Sequence, residues 1–220
     1  NPRPYVVVLD VTREYCDVVR QLGGECLRAF ADVVPNLAYL EPHEFEELVG
    51  GVLTSDLQRE IVSLGFAKFK ASAALDPTPS SLLKHIMRAA EENKARPETQ
   101  RNLSARLSSY LTSLFGSLDQ TPTNAEELAG RLRDRGLVAV VVDAEHLGVF
   151  VSWLYATLRE MRKKRLLENR GILLVIDEAH RVAPRGEDVP AKTAVMRMLR
   201  YGRHDGVYLL LITQVPASLE

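Results

Sequence analysis

Five short runs of aliphatic and β-branched residues, Tyr5–Leu9, Leu37–Leu40, Leu137–Val142, Ile172–Ile176 and Val207–Thr213, restrict this chain more than any other feature. None of them alternates apolar with polar residues. A strand apolar along its whole length is covered on both faces, which parallel sheets achieve by laying crossover helices above and below. Helical patterns fill the spaces between the runs, notably Ser81–Glu92, Thr99–Phe115, Ala125–Arg135, Val149–Leu167 and Lys192–Tyr201. The expectation is an α/β fold, a mostly parallel sheet flanked by helices. Two helix starts are legible. Thr78 ahead of Pro79, and Thr123-Asn124 ahead of Ala125 with Glu126 and Glu127 following, put capping oxygens and carboxylates where free N–H groups and the helix dipole favour them.

The second and third runs are separated by far more chain than the about 30 residues of a βαβ unit. Within that gap the sequence keeps helical periodicity, interrupted at Gly50-Gly51 and Asp76-Pro77. Residues 44–118 are therefore expected to form an inserted all-helical subdomain, and residues 1–43 with 119–220 the sheet-bearing core. The 220 residues suit one domain or two small ones, at about 100–200 residues each. No apolar run approaches the roughly 18–20 residues of a bilayer span, and no charged-then-apolar leader opens the chain. That excludes membrane and secretory readings and predicts a cytoplasmic protein. Lys and Arg number 28 against 29 Asp and Glu, a net charge of −1, so any nucleic-acid contact has to be local. Cys16 and Cys26 are too few for a disulfide scaffold and have no His or Cys company for zinc, so they read as reduced, buried, small apolar residues.

The chemistry concentrates in Gly171-Ile-Leu-Leu-Val-Ile-Asp177-Glu178-Ala-His180-Arg181. An apolar strand ending in two adjacent carboxylates sets both at the carboxyl edge of a parallel sheet, where open α/β folds bind ligands. This is the Walker B pattern. In it Asp177 holds a magnesium ion bound to phosphates, while Glu178 orients and deprotonates the water attacking the γ-phosphate. The bland reading is two solvated acids ending a strand. Against it stands Val207-Tyr-Leu-Leu-Leu-Ile-Thr213-Gln214, one strand later, which ends in two neutral polar groups at the same edge. An amide such as Gln214 can bond both the γ-phosphate and the attacking water.

The two segments together resemble the HerA family of hexameric ATPases, within the larger group that includes FtsK-type DNA pumps and type IV secretion ATPases. Leu9-Asp10-Val-Thr-Arg13-Glu14-Tyr15 is similar to the family's D-x-x-G-E-Y segment, with Arg13 where glycine is usual. Val141-Val-Asp143 resembles a strand end ahead of Walker B. Asp177-Glu178-Ala-His180-Arg181-Val-Ala-Pro184 and Tyr201-Gly202-Arg203-His204-Asp205-Gly206 through Thr213-Gln214-Val-Pro216 resemble the DEAH-x-x-x-P and G-R-x-x-G…T-Q-x-P segments, although His204-Asp205 departs from the family's basic-aromatic pair. The resemblance implies a RecA-like core using ATP and magnesium, with Asp177 as metal ligand, Glu178, Gln214 and Arg203 as catalytic residues, and Asp10, Glu14 and Thr213 at the nucleotide. It also implies a homo-hexameric ring that moves duplex DNA, with a NurA-type nuclease as partner in DNA end resection and repair in an archaeon or related prokaryote. A plain N-cap or loop role remains open for Asp10, Glu14 and Asp143.

A P-loop needs a glycine-rich turn between strand and helix. The nearest match, Gly186-Glu-Asp-Val-Pro190-Ala191-Lys192-Thr193, lacks the second glycine, loses a donor at Pro190 and places two acids where phosphate would lie. It is read as a decoy. The family's P-loop precedes the D-x-x-G-E-Y strand, so the chain is expected to be an excerpt starting after it and inactive alone. Two rivals remain: a non-catalytic scaffold that kept Walker B, and a secretion-type ATPase.

Arg203 precedes its strand, which holds it roughly 20 Å or more from Gln214. It is too far for its own nucleotide but suitably placed to act in trans as an arginine finger, with Arg200 as fallback and a plain helix-capping role as the alternative. The basic run Arg159, Arg162, Lys163, Lys164, Arg165 reads first as a solvated helix end and second as a DNA contact. His180 reads as polar support for the carboxylates and not as a metal ligand.

Overall fold

The computed structural model describes residues 3–73, 75–168, 170–186 and 189–215. The chain divides into two compact units, Asn1–Val33 with Thr123–Glu220, and Val34–Pro122.

The first unit holds a five-stranded sheet. Its elements are β1 (Tyr5–Asp10), α1 (Tyr15–Gln21) and β2 (Glu25–Arg28), then, after the second unit, α6 (Ala125–Arg135), β3 (Leu137–Val141), α7 (Leu147–Lys163), β4 (Ile172–Ile176), α8 (Pro190–Asp205) and β5 (Val207–Leu211). The strand order is β2-β3-β1-β4-β5 and every pairing is parallel. Side chains of a strand alternate between faces. Val8, Ala139 and Val175 therefore share one face, where Cys16 and Val19 of α1 pack on them. Tyr5, Val7, Leu9, Val138, Val140, Ile172, Leu174 and Ile176 share the other and are buried as well. The long apolar runs are thus explained for β1, β3 and β4. The edge strand β5 differs, because Tyr208 and Leu210 stay about half exposed on one of its faces.

Three expectations need correction. Leu37–Leu40 is not a strand: Leu37–Tyr39 is a 3₁₀ turn in which the Asn36 side chain accepts a hydrogen bond from the Ala38 N–H. Four apolar residues carry too little periodicity to separate a strand from a buried turn. The strand at the far edge of the sheet is β2, Glu-Cys-Leu-Arg, whose charged ends are normal for an edge and hide it from a hydrophobic scan. Cys16 and Cys26 are not free thiols but a disulfide, with Cα atoms 5.4 Å apart. The turn through Gly23-Gly24 folds β2 back beside α1 and brings the two residues within bridging range. The argument from cysteine usage to a reducing compartment lapses with it. Among the described residues, no helix is long and apolar enough to cross a membrane.

The second unit is built from α2 (Pro42–Val49), α3 (Asp56–Ser72), α4 (Pro79–Glu92) and α5 (Pro97–Phe115). Thr78 caps α4 by accepting from the Ser81 N–H, and in the first unit Asn124 caps α6 by accepting from the Glu127 N–H at 2.7 Å. Phe45 and Phe66 stack with centroids 4.3 Å apart, and Phe69 completes a fully buried aromatic cluster. Helices α3 and α4 come so close at Gly65 that a Cβ there would lie 2.4 Å from the Ile86 Cα. Gly65→Ala should therefore destabilise this unit by about 1–3 kcal/mol, the usual cost of overpacking. Gly51→Ala, with nothing within 4 Å of its added carbon, should cost far less. Urea unfolding followed by circular dichroism compares the two.

Candidate functional site

Because all five strands are parallel, their carboxyl ends share one edge. The register pairs Leu9 with Ile176 and Ile176 with Leu211, which brings Asp10, Asp177 and Thr213 to that edge on three neighbouring strands. Asp177 follows β4 and is 6% exposed. Its N–H donates to the Leu9 carbonyl, and its Oδ2 accepts from the Thr12 hydroxyl at 3.1 Å. Glu178 then takes a left-handed conformation, φ 53 and ψ 43, which a non-glycine residue adopts at a cost and which turns the chain sharply into a 3₁₀ turn at Ala179–Arg181. That turn is pinned to the end of β5 by the Ala179 N–H donating to the Ile212 carbonyl at 2.9 Å.

His180 joins the two strand ends. Its Nδ1 lies 3.2 Å from a Glu178 carboxylate oxygen and 3.3 Å from the Thr213 hydroxyl, whose oxygen accepts from the Val215 N–H. With its proton on Nδ1, the imidazole holds the carboxylate of Glu178 in place. Gln214 is exposed and makes no side-chain hydrogen bond among the described residues. Pro216, the last residue of its motif, lies outside them.

Asp10 is fully buried, and its two oxygens accept from the backbone N–H groups of Glu14, Tyr15 and Cys16 at 3.0–3.1 Å. Of the two readings left open for it, the geometry supplies the cap: the carboxylate meets the free donors and positive end of α1. Glu14, exposed, is the residue at the start of that helix. Arg13 adopts φ 65, the left-handed region that glycine enters freely. Its guanidinium pairs with Asp143, just past β3, at 3.1 Å with both groups well exposed.

Sequence reasoning does not single out Thr12 or Tyr15. The Tyr15 hydroxyl is pushed above the ordinary tyrosine range, first by burial and then by the negative charges of Asp177, Glu14, Asp10 and Glu178. It stays protonated beside a group of four carboxylates. The only signal for these two residues is their closeness in sequence to a strand-terminal aspartate.

The edge fits a magnesium ion carried by phosphates. Among the described residues no three His, Cys, Asp or Glu side chains converge to hold a metal unaided. Magnesium generally takes one or two carboxylates and fills its octahedron with phosphate oxygens and water. Asp177 offers that single carboxylate, with Oδ2 on Thr12 and Oδ1 without a hydrogen-bond partner among the described residues. Among the described residues the glycine-containing decoy supplies no cradle: Lys192 and Thr193 line a shallow cavity on α8 with Met196, Arg197, Arg200 and Tyr201. Glu187 and Asp188 of that segment lie outside the described residues.

Arg203 sits at the opposite edge, exposed in the last turn of α8, just before Gly206 ends the helix at φ 65. The five residues of β5, about 17 Å at ~3.3 Å each, separate it from the Thr213-Gln214 edge. Arg200 lies 5.9 Å from the ring of Tyr201. The basic run on α7 splits. Arg159 and Arg162 are half-buried, Lys164 pairs with Glu126 and Glu160, and Lys163 and Arg165 remain exposed.

No family model matches the chain. Among solved structures it resembles VirB4 of Thermoanaerobacter pseudethanolicus, with a TM-score of 0.58 at 17% identity over 96% of this chain and 62% of that one. The fold is RecA-like. A plasmid coupling protein, TrwB, in complex with a non-hydrolysable GTP analogue, aligns with a TM-score of 0.45 at 14% identity over 95% of this chain and 63% of that one. In sequence, a probable helicase of Methanocaldococcus jannaschii is 29% identical over 84 residues, 36% of this chain and 16% of the helicase. The chain therefore spans under two thirds of the structures it resembles and about a sixth of the helicase. Within the RecA-like sheet, Asp10 is the residue that anchors α1 beside the carboxylates. Asp10→Ala strands three backbone donors, and loss of such a cap should cost about 1–2 kcal/mol or more, read as a lower denaturant midpoint. Asp10→Asn, which keeps one acceptor oxygen, should cost less.

Proposed function

We propose that this chain is the motor core of an ATP-dependent DNA translocase or helicase of the HerA type. The observation that supports it most is the division of labour at the end of β4. Asp177 keeps one oxygen free for a cation while Thr12 fixes the other, and Glu178, one residue further, is turned by its left-handed backbone and held by His180. Bound magnesium would supply charge neutralisation at the phosphates. Asp177 would hold that ion, Glu178 would accept the proton of the attacking water, and Thr213 and Gln214 would sense the γ-phosphate. The products are ADP and inorganic phosphate. The short match to a probable helicase agrees with movement along nucleic acid. In this reading the substrate is duplex DNA, the assembly a homo-hexamer, the compartment the cytoplasm and the partner a NurA-type nuclease.

Glu178→Gln removes the base and keeps the metal ligand, so in the ATP-hydrolysing protein it should lower turnover at least about a hundredfold with Mg-ATP affinity nearly unchanged. Unimpaired turnover would remove Glu178 from the mechanism. Stimulation of hydrolysis by duplex DNA tests the substrate, and its absence favours the secretion-type rival. Arg203 belongs to the neighbouring subunit's site if mixed rings of Arg203→Ala and Glu178→Gln subunits recover activity above the sum of the two inactive parents. Verified subunit exchange without recovery would return Arg203 to a helix-capping role.

A further inference from the structure

The last turn of α8 is held more firmly than a helix end on a surface requires. Tyr155 of α7 is 1% exposed and its hydroxyl donates to Asp205 at 2.5 Å. Burial raises this phenol above the usual tyrosine range, and the bond to Asp205 raises it further, so it remains a donor. Arg162, about two turns further along the same face of α7, donates to the carbonyls of Gly206 and Arg170, tying the end of α8 to the segment that enters β4. Arg170 in turn donates to the Arg3 carbonyl, and its guanidinium lies 4.0 Å over the ring of Tyr5. Two glycines make the approach possible. A Cβ at Gly202 would lie 2.4 Å from the Val207 carbonyl oxygen, and one at Gly206 would lie 2.2 Å from the Arg162 guanidinium. The turn so fixed carries Arg203, which is exposed and has no ion pair among the described residues.

An exposed arginine normally samples many rotamers, and a flexible helix end would add backbone freedom to that. Fixing the backbone under an unpaired guanidinium gives the fold little but gives a ligand a great deal. The cation is presented from a constant position, which is how catalysis at a distance from the rest of a site is made effective. We propose that Tyr155, Arg162 and Asp205 are positioning residues that hold the last turn of α8 so that Arg203 meets the terminal phosphate of a nucleoside triphosphate bound to an adjoining copy. This rests on Arg203 acting in trans. It also gives the half-buried Arg162 a role within the subunit.

Two measurements test it. In the 220-residue chain, Tyr155→Phe keeps the ring and removes the donor, so amide hydrogen exchange from Arg203 to Gly206 should accelerate about tenfold or more relative to β1. Unchanged exchange overturns the proposal. In the ATP-hydrolysing protein, Tyr155→Phe and Asp205→Ala should each lower kcat about tenfold with KM for ATP unchanged. Asp205→Asn, which keeps an acceptor oxygen for Tyr155, should stay within about twofold of the parent. The double variant Tyr155→Phe/Asp205→Ala should be no worse than Asp205→Ala alone, because both remove one bond. Inactive Arg203→Ala rings alongside unimpaired Tyr155→Phe rings would overturn the positioning role and leave the trans reading standing. Full activity in Arg203→Ala would overturn both.

Discussion

The carboxylate of Asp10 is the interaction on which the arrangement of the site depends. It ends the central strand of the sheet, is shielded from solvent, and satisfies three backbone donors at the start of α1. A buried carboxylate without partners would be costly. Here the helix terminus supplies both the hydrogen bonds and the positive end of a dipole. Everything between Asp10 and α1 is thereby confined to a four-residue loop whose path leaves little freedom. Thr12 meets Asp177, Arg13 meets Asp143, and Tyr15 is set among the carboxylates. The disulfide from Cys16 to Cys26 ties the same helix to the edge strand β2. The first turn of α1 is thus fixed from two sides, by a polar anchor at the centre of the sheet and a covalent one at its rim.

The strand direction separates the remaining chemistry into two places. Groups that follow strands gather at one edge, and groups that precede strands gather at the other, with the length of β5 between them. Asp177, Glu178 and Thr213 belong to the first set and Arg203 to the second. A single subunit cannot close this gap with a side chain, which makes assembly a geometric requirement of any mechanism using both sets. In such a mechanism the end of α8 is part of the working surface. Its stiffness, derived from Tyr155, Asp205 and Arg162, is a property of the same kind as the stiffness of the loop after β1.

Much of this was legible in the sequence, for identifiable reasons. The strands β1, β3 and β4 and the helices α4, α5 and α6 are long or strongly patterned, and the caps at Thr78 and Asn124 use the local chemistry that their sequence advertises. The carboxylate pair was legible because a hydrophobic strand points it at a defined edge. The failures are short or non-local. Leu37–Leu40 has a strand's composition and too few residues to reveal its turn, and β2 is identified by its neighbour β3 rather than by its own side chains. The cysteine pairing depends on how tightly the chain reverses at Gly23-Gly24. The hydrogen bonds of Thr12 to Asp177 and of Tyr155 to Asp205 join positions separated by 165 and 50 residues, distances across which no local pattern carries information.

Arg13 shows how loosely residue identity can be coupled to loop shape. Holding a side chain in the left-handed region costs about 1–2 kcal/mol relative to glycine, and an exposed ion pair such as that with Asp143 returns about 0–1 kcal/mol. The pair offsets only part of the cost and leaves about 1 kcal/mol. Arginine at this point is then a modest cost in stability, carried while the backbone path, and with it the placement of Thr12 against Asp177, is kept. A pattern keyed on glycine would pass over such a chain, whereas one keyed on a positive φ between an anchoring aspartate and the helix it caps would find it.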